Sequence, residues 1–511
     1  MPKVCILAAG IGSRNKCIEG LHKALLPLNN KPVISHIIDS FPQDMEIVIA
    51  LGYKQKQLLS YLEEVHTSKN ITYVTVDNFD KSGSGPGYSL YQCKNHLQEP
   101  FIFTSVDTLL DEFPVSVDSN WIGTSNIDEK KSSSYCLVSV DNETVKDLYY
   151  GSGNLAFVGT AGVKDYKTFW NNLEKTLLSV NEIQVIPALQ SLTNIKAINS
   201  VWYDTGNIES YYNTKKVYNN DIVAPKNNET IFLDNNLVIK YFSNSKKNLS
   251  RVERVKFLND CTPDTTYLND NMYCYEYING ALLSNITNVE IMREFFSFCD
   301  SKLWLKKNRD DIFISNCRSM YEFKTKSRIN ELIDSDLDKI RFINGLEVQP
   351  IRTIYEKIGW GQIYNNALPV SFHGDLQPEN IIYNNERFFL IDWRESFGNS
   401  LEVGDIYYDL SKLYHGLDIN GTLMNSKNYF YNIEDKSANI GYNIKSNLID
   451  LKDTLKTFVI EKGLDWYNIR LLGALHYLNI CTLYKDFHNG EYGRFLFLYS
   501  KYLLQNILQN K

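Results

Sequence analysis

The amino-acid sequence predicts an α/β protein of two domains, the first a doubly wound, mostly parallel sheet and the second a two-lobed α+β unit. Three observations predict it. At 511 residues and 59.0 kDa the chain is about twice as long as one hydrophobic core usually serves. Over the first half, short apolar runs rich in β-branched residues alternate with helical stretches, the pattern of β-α-β units. Past a polar, proline-bearing segment the pattern changes to a few strands and then to a largely helical remainder.

Val4 to Leu7 and Glu46 to Leu51 read as buried strands, with a helix over Ile34 to Phe41 between them. Ile71 to Val76 and Phe101 to Thr104 are two further strands, the second preceded by a helical segment near Ser89 to Leu97. A helix over Ile208 to Tyr218 closes the first domain, and the boundary is placed in Asn219 to Glu229, which carries Pro225. The domains so defined are 1–222 and 226–511, the latter with a small lobe at about 226–283 and a helical large lobe at about 284–511. Thr230 to Leu233 and Leu237 to Phe242 form a hairpin around Asp234-Asn235-Asn236, followed by a helix over Leu249 to Leu258 and a strand over Met272 to Ile278. In the large lobe, Ile381 to Tyr383 and Phe388 to Asp392 are short strands split by an Asn-Asn turn.

Bulk properties narrow the function. The net charge of -7 rules out a broad cationic face for nucleic acid, so phosphate binding has to be local. No apolar run reaches the roughly 20 residues of a membrane helix and the N-terminus has no secretory pattern, so a cytoplasmic protein without membrane insertion is expected. The nine cysteines are scattered singly with no C-x-x-C pair, which points to reduced thiols and not to zinc or disulfides. The partners expected are small molecules, and a homo-oligomer is compatible with the sequence.

The densest signal follows the first strand: Leu7-Ala8-Ala9-Gly10-Ile11-Gly12-Ser13-Arg14, then His22-Lys23-Ala24-Leu25-Leu26-Pro27. Small residues at Ala8, Ala9, Gly10, Gly12 and Ser13 let backbone N–H groups approach a triphosphate, while Arg14 and Lys23 supply positive charge. These residues resemble the sugar-phosphate nucleotidyltransferase superfamily, which opens L-A-A-G-x-G-[ST]-R and continues P-K-x-L-x-P, with His22 here in place of the usual proline. Three further segments fit the resemblance over about the first 220 residues. Gly83 to Leu90, with Gly85 and Gly87, is similar to the stretch that faces base and ribose. Phe103 to Thr108 resembles the strand ending in a metal-binding Asp107. Trp202 to Asn207 resembles W-x-D-x-G-T, giving Asp204 as a second metal ligand and Asn207 for Thr. The resemblance implies that an acceptor phosphate attacks the α-phosphorus of a nucleoside triphosphate, with Mg²⁺ on Asp107 and Asp204 and with Arg14 and Lys23 as catalytic cations; single residues do not give the base, and CTP or UTP is the expectation adopted. Glu182 and Lys164 are candidates for acceptor contacts, and a solvated helix face explains them equally well.

The second signal is His373-Gly374-Asp375-Leu376-Gln377-Pro378-Glu379-Asn380, followed by Leu390-Ile391-Asp392-Trp393. An Asp that orients a hydroxyl, an Asn five residues on and an Asp at the end of the next strand are the parts of a phosphoryl-transfer site: base Asp375, metal ligands Asn380 and Asp392. The pattern H-G-D-L-x-x-x-N with [IL]-I-D-[WF] resembles the aminoglycoside phosphotransferase and choline kinase superfamily, relatives of protein kinases. The resemblance implies a kinase-like fold using ATP and Mg²⁺, with Lys240 at the ATP phosphates, Glu253 as its ion-pair partner, and Glu276 and Ile278 at the hinge. The loop Lys226 to Asn236 has no glycine, so a glycine-rich flap is missing, and Asp409 reads as structural.

A kinase makes the phosphate ester that a nucleotidyltransferase consumes. The expected function is therefore phosphorylation of a small sugar or polyol with ATP, then nucleotidyl transfer to the product, giving an activated precursor for a surface polysaccharide such as capsule. A choline or amino-alcohol kinase joined to a phosphocholine-type cytidylyltransferase is the alternative, and a non-catalytic nucleotide-binding domain is a further one.

Overall fold

Side chains alternate across the strand Lys3–Leu7, and both of its faces are buried. Val4 and Ile6 enter one apolar layer, whereas Cys5 and Leu7 enter another. Ile47–Leu51 beside it divides the same way, which is why both strands read as unbroken apolar runs. The computed structural model describes residues 1–177, 182–218, 228–332, 336–419, 421–484 and 487–510. The chain is a mixed α/β protein that divides into two compact units: Met1–Ser245 with Thr266–Tyr277, and Lys246–Thr265 with Ile278–Lys511. The expected boundary segment falls, over 219–227, outside the described residues.

The first unit is built on a nine-stranded sheet. Its order is Ile71–Thr75, Ile47–Leu51, Lys3–Leu7, Phe101–Ser105, Leu155–Val163, Trp121–Asn126, Lys196–Asn199, Thr144–Tyr149 and Leu137–Asp141. The first four strands are parallel, with helices Val33–Asp39, Gln55–Val65 and Pro86–Gln92 in the connections. Beyond Phe101–Ser105 the pairings are antiparallel, apart from Lys196–Asn199 on Trp121–Asn126. The sheet is therefore half parallel, a correction to the mostly parallel sheet expected. Two of the antiparallel pairings carry register shifts, between Val145 and Asp147 and between Phe157 and Ala161, which break the two-residue period.

Glu229–Asp234 and Leu237–Phe242 form the expected hairpin, whose two-residue turn places Asn235 and Asn236 at φ 47° and 62°. The buried Phe232, Ile239, Tyr241, Met272 and Cys274 join the apolar layer that contains Val4 and Ile6. Tyr61 donates to Asp234 Oδ2 at 2.6 Å, and the Leu233 amide donates to the Asn30 carbonyl at 2.8 Å. These strands thus belong to the first unit's core.

In the second unit, helices Ile406–Asp418, Trp466–Cys481 and Glu491–Gln509 pack together, the first buried along its whole length. Ile381–Asn384 pairs with Arg387–Leu390, and the turn residues at positive φ are Asn385 and Glu386, one place later than the Asn-Asn turn expected. The pairing of Asn384 with Arg387 sets that register. A hairpin of Tyr429–Glu434 and Ser437–Tyr442 interrupts a region expected to be helical. Among the described residues no helix is long and apolar enough to cross a membrane, and all nine cysteines are free thiols.

Candidate functional site

Strand Lys3–Leu7 delivers its C-terminal end to a cavity of about 720 Å³ in the first unit. Ala9, Gly10, Gly12, Ser13, Arg14, Lys23, Gly85, Asp107 and Glu182 line it. At Gly12 (φ 65°) a Cβ would lie 2.8 Å from Lys23 Cδ, so the lysine stem lies over the loop only because that position is glycine. Ala8 is fully buried beneath the cavity and Gly87 does not line it. Gly87 N donates to the Ile183 carbonyl at 2.8 Å, and a Cβ there would meet the Gln184 backbone. Ala8 and Gly87 thus stand behind the residues that line the cavity. Lys164 also lies away from the cavity, donating to the Asp118 carbonyl.

Asp107 and Asp204 come together because Thr108–Leu110 pairs antiparallel with Trp202–Asp204. A Cβ on Gly206 would sit 3.1 Å from Asp204 Oδ1 and 3.4 Å from Asp107 Oδ2, so the two carboxylates flank one glycine at the cavity wall. Lys23 Nζ lies 3.0 Å from Asp107 Oδ2. Burial pushes the Asp107 carboxyl up, but the Lys23 ammonium holds it below the usual range. Tyr135, which sequence reasoning missed, donates to Asp204 Oδ2 at 3.0 Å. Asn207 caps helix Ile208–Val217 through the Ser210 amide, the task a threonine would perform.

His22 explains its own departure from proline. Its Nδ1 accepts from the Ala24 amide at 3.0 Å, capping the turn that presents Lys23. Burial, then the Lys23 charge, lowers its pKa to about 3. A histidine whose folded pKa is depressed contributes stability above its unfolded value near 6.5, and this is lost as pH falls toward 3. His22→Asn keeps a capping oxygen without the titration. The stability of the wild type relative to that variant is expected to fall by about 1.4 kcal/mol per pH unit below pH 6.5. Denaturant unfolding at pH 7.5, 6.0 and 5.0 checks this, and a pH-independent difference would contradict it.

In the second unit, Asp409 organises the start of the second motif. It is fully buried and accepts from His373 N at 2.8 Å, Gly374 N at 2.7 Å and Trp304 Nε1 at 3.2 Å. Burial raises its pKa to about 6, and those donors restrain the rise. Asp409→Ala strands three buried donors and is expected to cost about 3 kcal/mol or more, measured by chemical denaturation. A loss below about 1 kcal/mol would show the loop is held by other contacts.

His373, also buried, bonds the Ile391 carbonyl through Nε2 at 3.0 Å, and burial lowers its pKa to about 4. Asp375 Oδ1 accepts from Gln377 Nε2 and pairs with Lys412 Nζ, both at 3.0 Å. Burial pushes Asp375 up, but Lys412, supported by Gln377, brings its pKa down to about 2. Asn380 Nδ2 donates to the Asp375 carbonyl at 2.8 Å, which leaves Oδ1 as the atom for a ligand. The Ile391 amide donates to the Asn380 carbonyl at 2.9 Å, so the strand pair brings Asp392 to the same end. Asp392 is in the left-handed region at φ 58° and takes Arg251 on its carboxylate.

Arg251 and Arg254 were not singled out in the sequence, although their i, i+3 spacing on Ser245–Arg254 places them on one buried face. Arg254, fully buried, donates to the carbonyls of Phe372, His373, Arg394 and Leu401. Glu253 projects from the exposed face and pairs with Lys256 at 2.9 Å. Lys240 is buried on Leu237–Phe242 in register with Tyr273, Glu276 ends the strand Met272–Glu276, and Ile278 follows it.

Both sites offer donors for magnesium. Among the described residues no group of three or more His, Cys, Asp or Glu could hold a metal ion. The paired Asp107 and Asp204, and Asn380 with Asp392, fit the habit of Mg²⁺ to take one or two protein oxygens and complete its shell with phosphate and water.

Comparison with known proteins bears on the first site. The bifunctional protein GlmU of Methanococcus maripaludis is 22% identical over 235 residues, 43% of this chain and 55% of that protein. That of Methanococcus vannielii is 22% identical over 218 residues, 39% and 51% of the two chains. The chain spans about half the length of the curated relatives it matches. Among solved structures, a UDP-glucose pyrophosphorylase complexed with UDP-glucose aligns at a TM-score of 0.36 and 20% identity, covering 43% of this chain and 98% of that one. The CTP:phosphocholine cytidylyltransferase from Streptococcus pneumoniae aligns at 0.36 and 20%, covering 42% and 98%. Residues 4–112 match the MobA-like NTP transferase domain, a span that includes Gly10, Gly12, Lys23 and Asp107, and the N-terminal part has the nucleotidyltransferase-like α/β fold of that domain.

Proposed function

We propose that the chain is a bifunctional transferase, which phosphorylates a small sugar or polyol with ATP at its C-terminal site and transfers a nucleotidyl group to the product at its N-terminal site. The observation that carries the first activity is that Asp107, with Lys23 beside it, lines a cavity floored by the Gly10 to Arg14 loop, and that Asp204 lies behind Gly206 at the same wall. A triphosphate would lie on that loop, with Arg14 and Lys23 neutralising charge on the α-phosphate and the departing pyrophosphate. Mg²⁺ held by Asp107 and Asp204 would add Lewis-acid stabilisation. CTP or UTP is the proposed donor.

The second activity rests on Asp375 joined to Asn380 through one hydrogen bond, with Asp392 brought to the same end of the strand pair. Asp375, ionised at any ordinary pH, would orient the acceptor hydroxyl and accept its proton. Asn380 and Asp392 would hold the magnesium of ATP. Because one site makes the ester the other uses, an activated precursor for a surface polysaccharide is the proposed end product. Mass spectrometry of the full chain with ATP, CTP, UTP or GTP and a panel of sugars and polyols tests this. A nucleoside-diphosphate conjugate formed only when ATP and a second nucleotide are both present supports it, and release of phosphate from ATP with no acceptor product in any mixture counts against it.

A further inference from the structure

The Gly10 to Arg14 loop and the segment that carries Asp204 lie far apart in the chain, and one buried side chain ties them together. Asn15, the residue after Arg14, is 7% exposed and stands outside the cavity lining. Its Nδ2 donates to the Thr205 carbonyl at 2.8 Å, across 190 residues of sequence, and reaches the Asn207 carbonyl at 3.5 Å. The amide therefore spans the carbonyls on either side of Gly206, the glycine that Asp107 and Asp204 flank. Asn15 Oδ1 accepts from Cys17 Sγ at 2.9 Å, which fixes the end of the amide that faces Thr205. The Asn15 backbone N–H donates to the Gly12 carbonyl at 3.0 Å, so the side chain is anchored in the turn that carries Ser13 and Arg14.

Thr205 passes the connection on. It is buried, its amide donates to the Asp107 carbonyl at 3.0 Å, and its hydroxyl donates to the same carbonyl at 3.3 Å. The Gly206 amide donates to Asp204 Oδ1 at 2.8 Å. Loop, turn and both aspartates thus belong to one hydrogen-bonded frame inside the first unit. Lys23 is tied to Asp107 directly, at 3.0 Å, and the loop is tied through Asn15. A buried amide adds little net stability, because its bonds replace bonds to water, and an apolar side chain would fill the space with no polar atoms to satisfy. What a satisfied buried amide adds is a single geometry. Here that geometry is the spacing between the loop, which would meet the triphosphate, and the carboxylates, which would meet magnesium.

We infer that Asn15 is a positioning residue of the nucleotidyl-transfer site, which holds the phosphate loop in register with the Asp107 and Asp204 carboxylates so that one magnesium triphosphate engages both. The inference rests on the nucleotidyltransferase reading and adds a residue that the loop motif does not assign. A triphosphate held by the loop alone needs no such register. One whose magnesium also takes the carboxylates does, because a small displacement of either partner forfeits the joint contact. Asn15 therefore acts on the coupling between metal and nucleotide and not on the nucleotide contacts themselves.

Titration calorimetry of the full chain with CTP, UTP and GTP, each in excess Mg²⁺ and in EDTA, reads this. In the wild type magnesium is expected to tighten binding of one of them by about 10-fold or more. Asp107→Ala should abolish that gain, which locates it in the first unit's cavity. Asn15→Leu, similar in size and without the amide, is expected to lose about 5-fold or more of the gain while its affinity in EDTA stays within about 2-fold of wild type. Asn15→Ala is the second variant should leucine not be accommodated, and thermal unfolding shows that the variant used is folded. A full magnesium gain in a folded Asn15 variant overturns the inference, as does a gain that survives in Asp107→Ala. So does an equal loss in EDTA, or failure of both variants to fold, either of which makes Asn15 a general support of the loop. If the wild type binds none of the three, or binds them without regard to magnesium, the nucleotidyltransferase reading fails and takes the inference with it.

Discussion

Asp375→Asn is expected to reduce phosphoryl transfer to a hydroxyl acceptor by about 10²–10⁴-fold, while nucleotidyl transfer to an acceptor phosphorylated beforehand continues at the wild-type rate. The asparagine keeps the shape and one acceptor oxygen for Gln377 but removes the charge that faces Lys412. Alanine would leave Lys412 buried without its partner and confuse lost chemistry with lost stability, so asparagine is the better variant. The pH dependence follows from the depressed pKa of Asp375. A carboxylate lowered from 3.8 to about 2 contributes stability that is complete above its unfolded value and disappears only as pH falls through about 2. No acid limb of the kinase rate between pH 5 and 8 should therefore trace to this residue. ADP release and acceptor phosphorylation, measured together, read the result, and transfer surviving at the wild-type rate would remove Asp375 from the mechanism.

The mirror result is expected at the other site. Asp107→Ala should lower nucleotidyl transfer by about 10²–10³-fold, the scale seen when one preorganised electrostatic group is removed, and leave the kinase reaction intact. Asp107 flanks Gly206 with Asp204 and anchors Lys23, so the substitution removes one metal oxygen and frees the cation that should meet the triphosphate. Pyrophosphate release with a presynthesised sugar phosphate reads it. Equal loss of both reactions would indicate a folding defect and not a site-specific one.

The parallel half of the first sheet was legible because Val4, Ile6, Cys5 and Leu7 serve two apolar layers at once and leave no polar gap in the run. The antiparallel half was not, since strands such as Thr144–Tyr149 are only partly buried and bulged, so apolar and polar positions do not alternate cleanly. Ordered motifs carried the site residues, because Asp107, Asp204, Asp375 and Asn380 sit at strand ends or tight turns whose spacing is local. What the sequence concealed was long-range support: Arg251 reaches Asp392 across 141 residues, and Tyr135 reaches Asp204 across 69. His22 stood out only as a mismatch, yet as a cap it does locally what proline's fixed backbone would do. At Gly87 a Cβ would meet the Gln184 backbone, a reason for glycine that local sequence does not display.

The most direct test mixes two crippled chains. Asp375→Asn and Asp107→Ala, each incubated alone with ATP, a pyrimidine triphosphate and the unphosphorylated acceptor, should make no nucleoside-diphosphate conjugate, and the mixture should make it, because the ester released by one chain is the substrate of the other. If either variant alone forms the conjugate, or the mixture stays silent while each retains its own half-reaction, the two sites do not perform consecutive steps on one molecule.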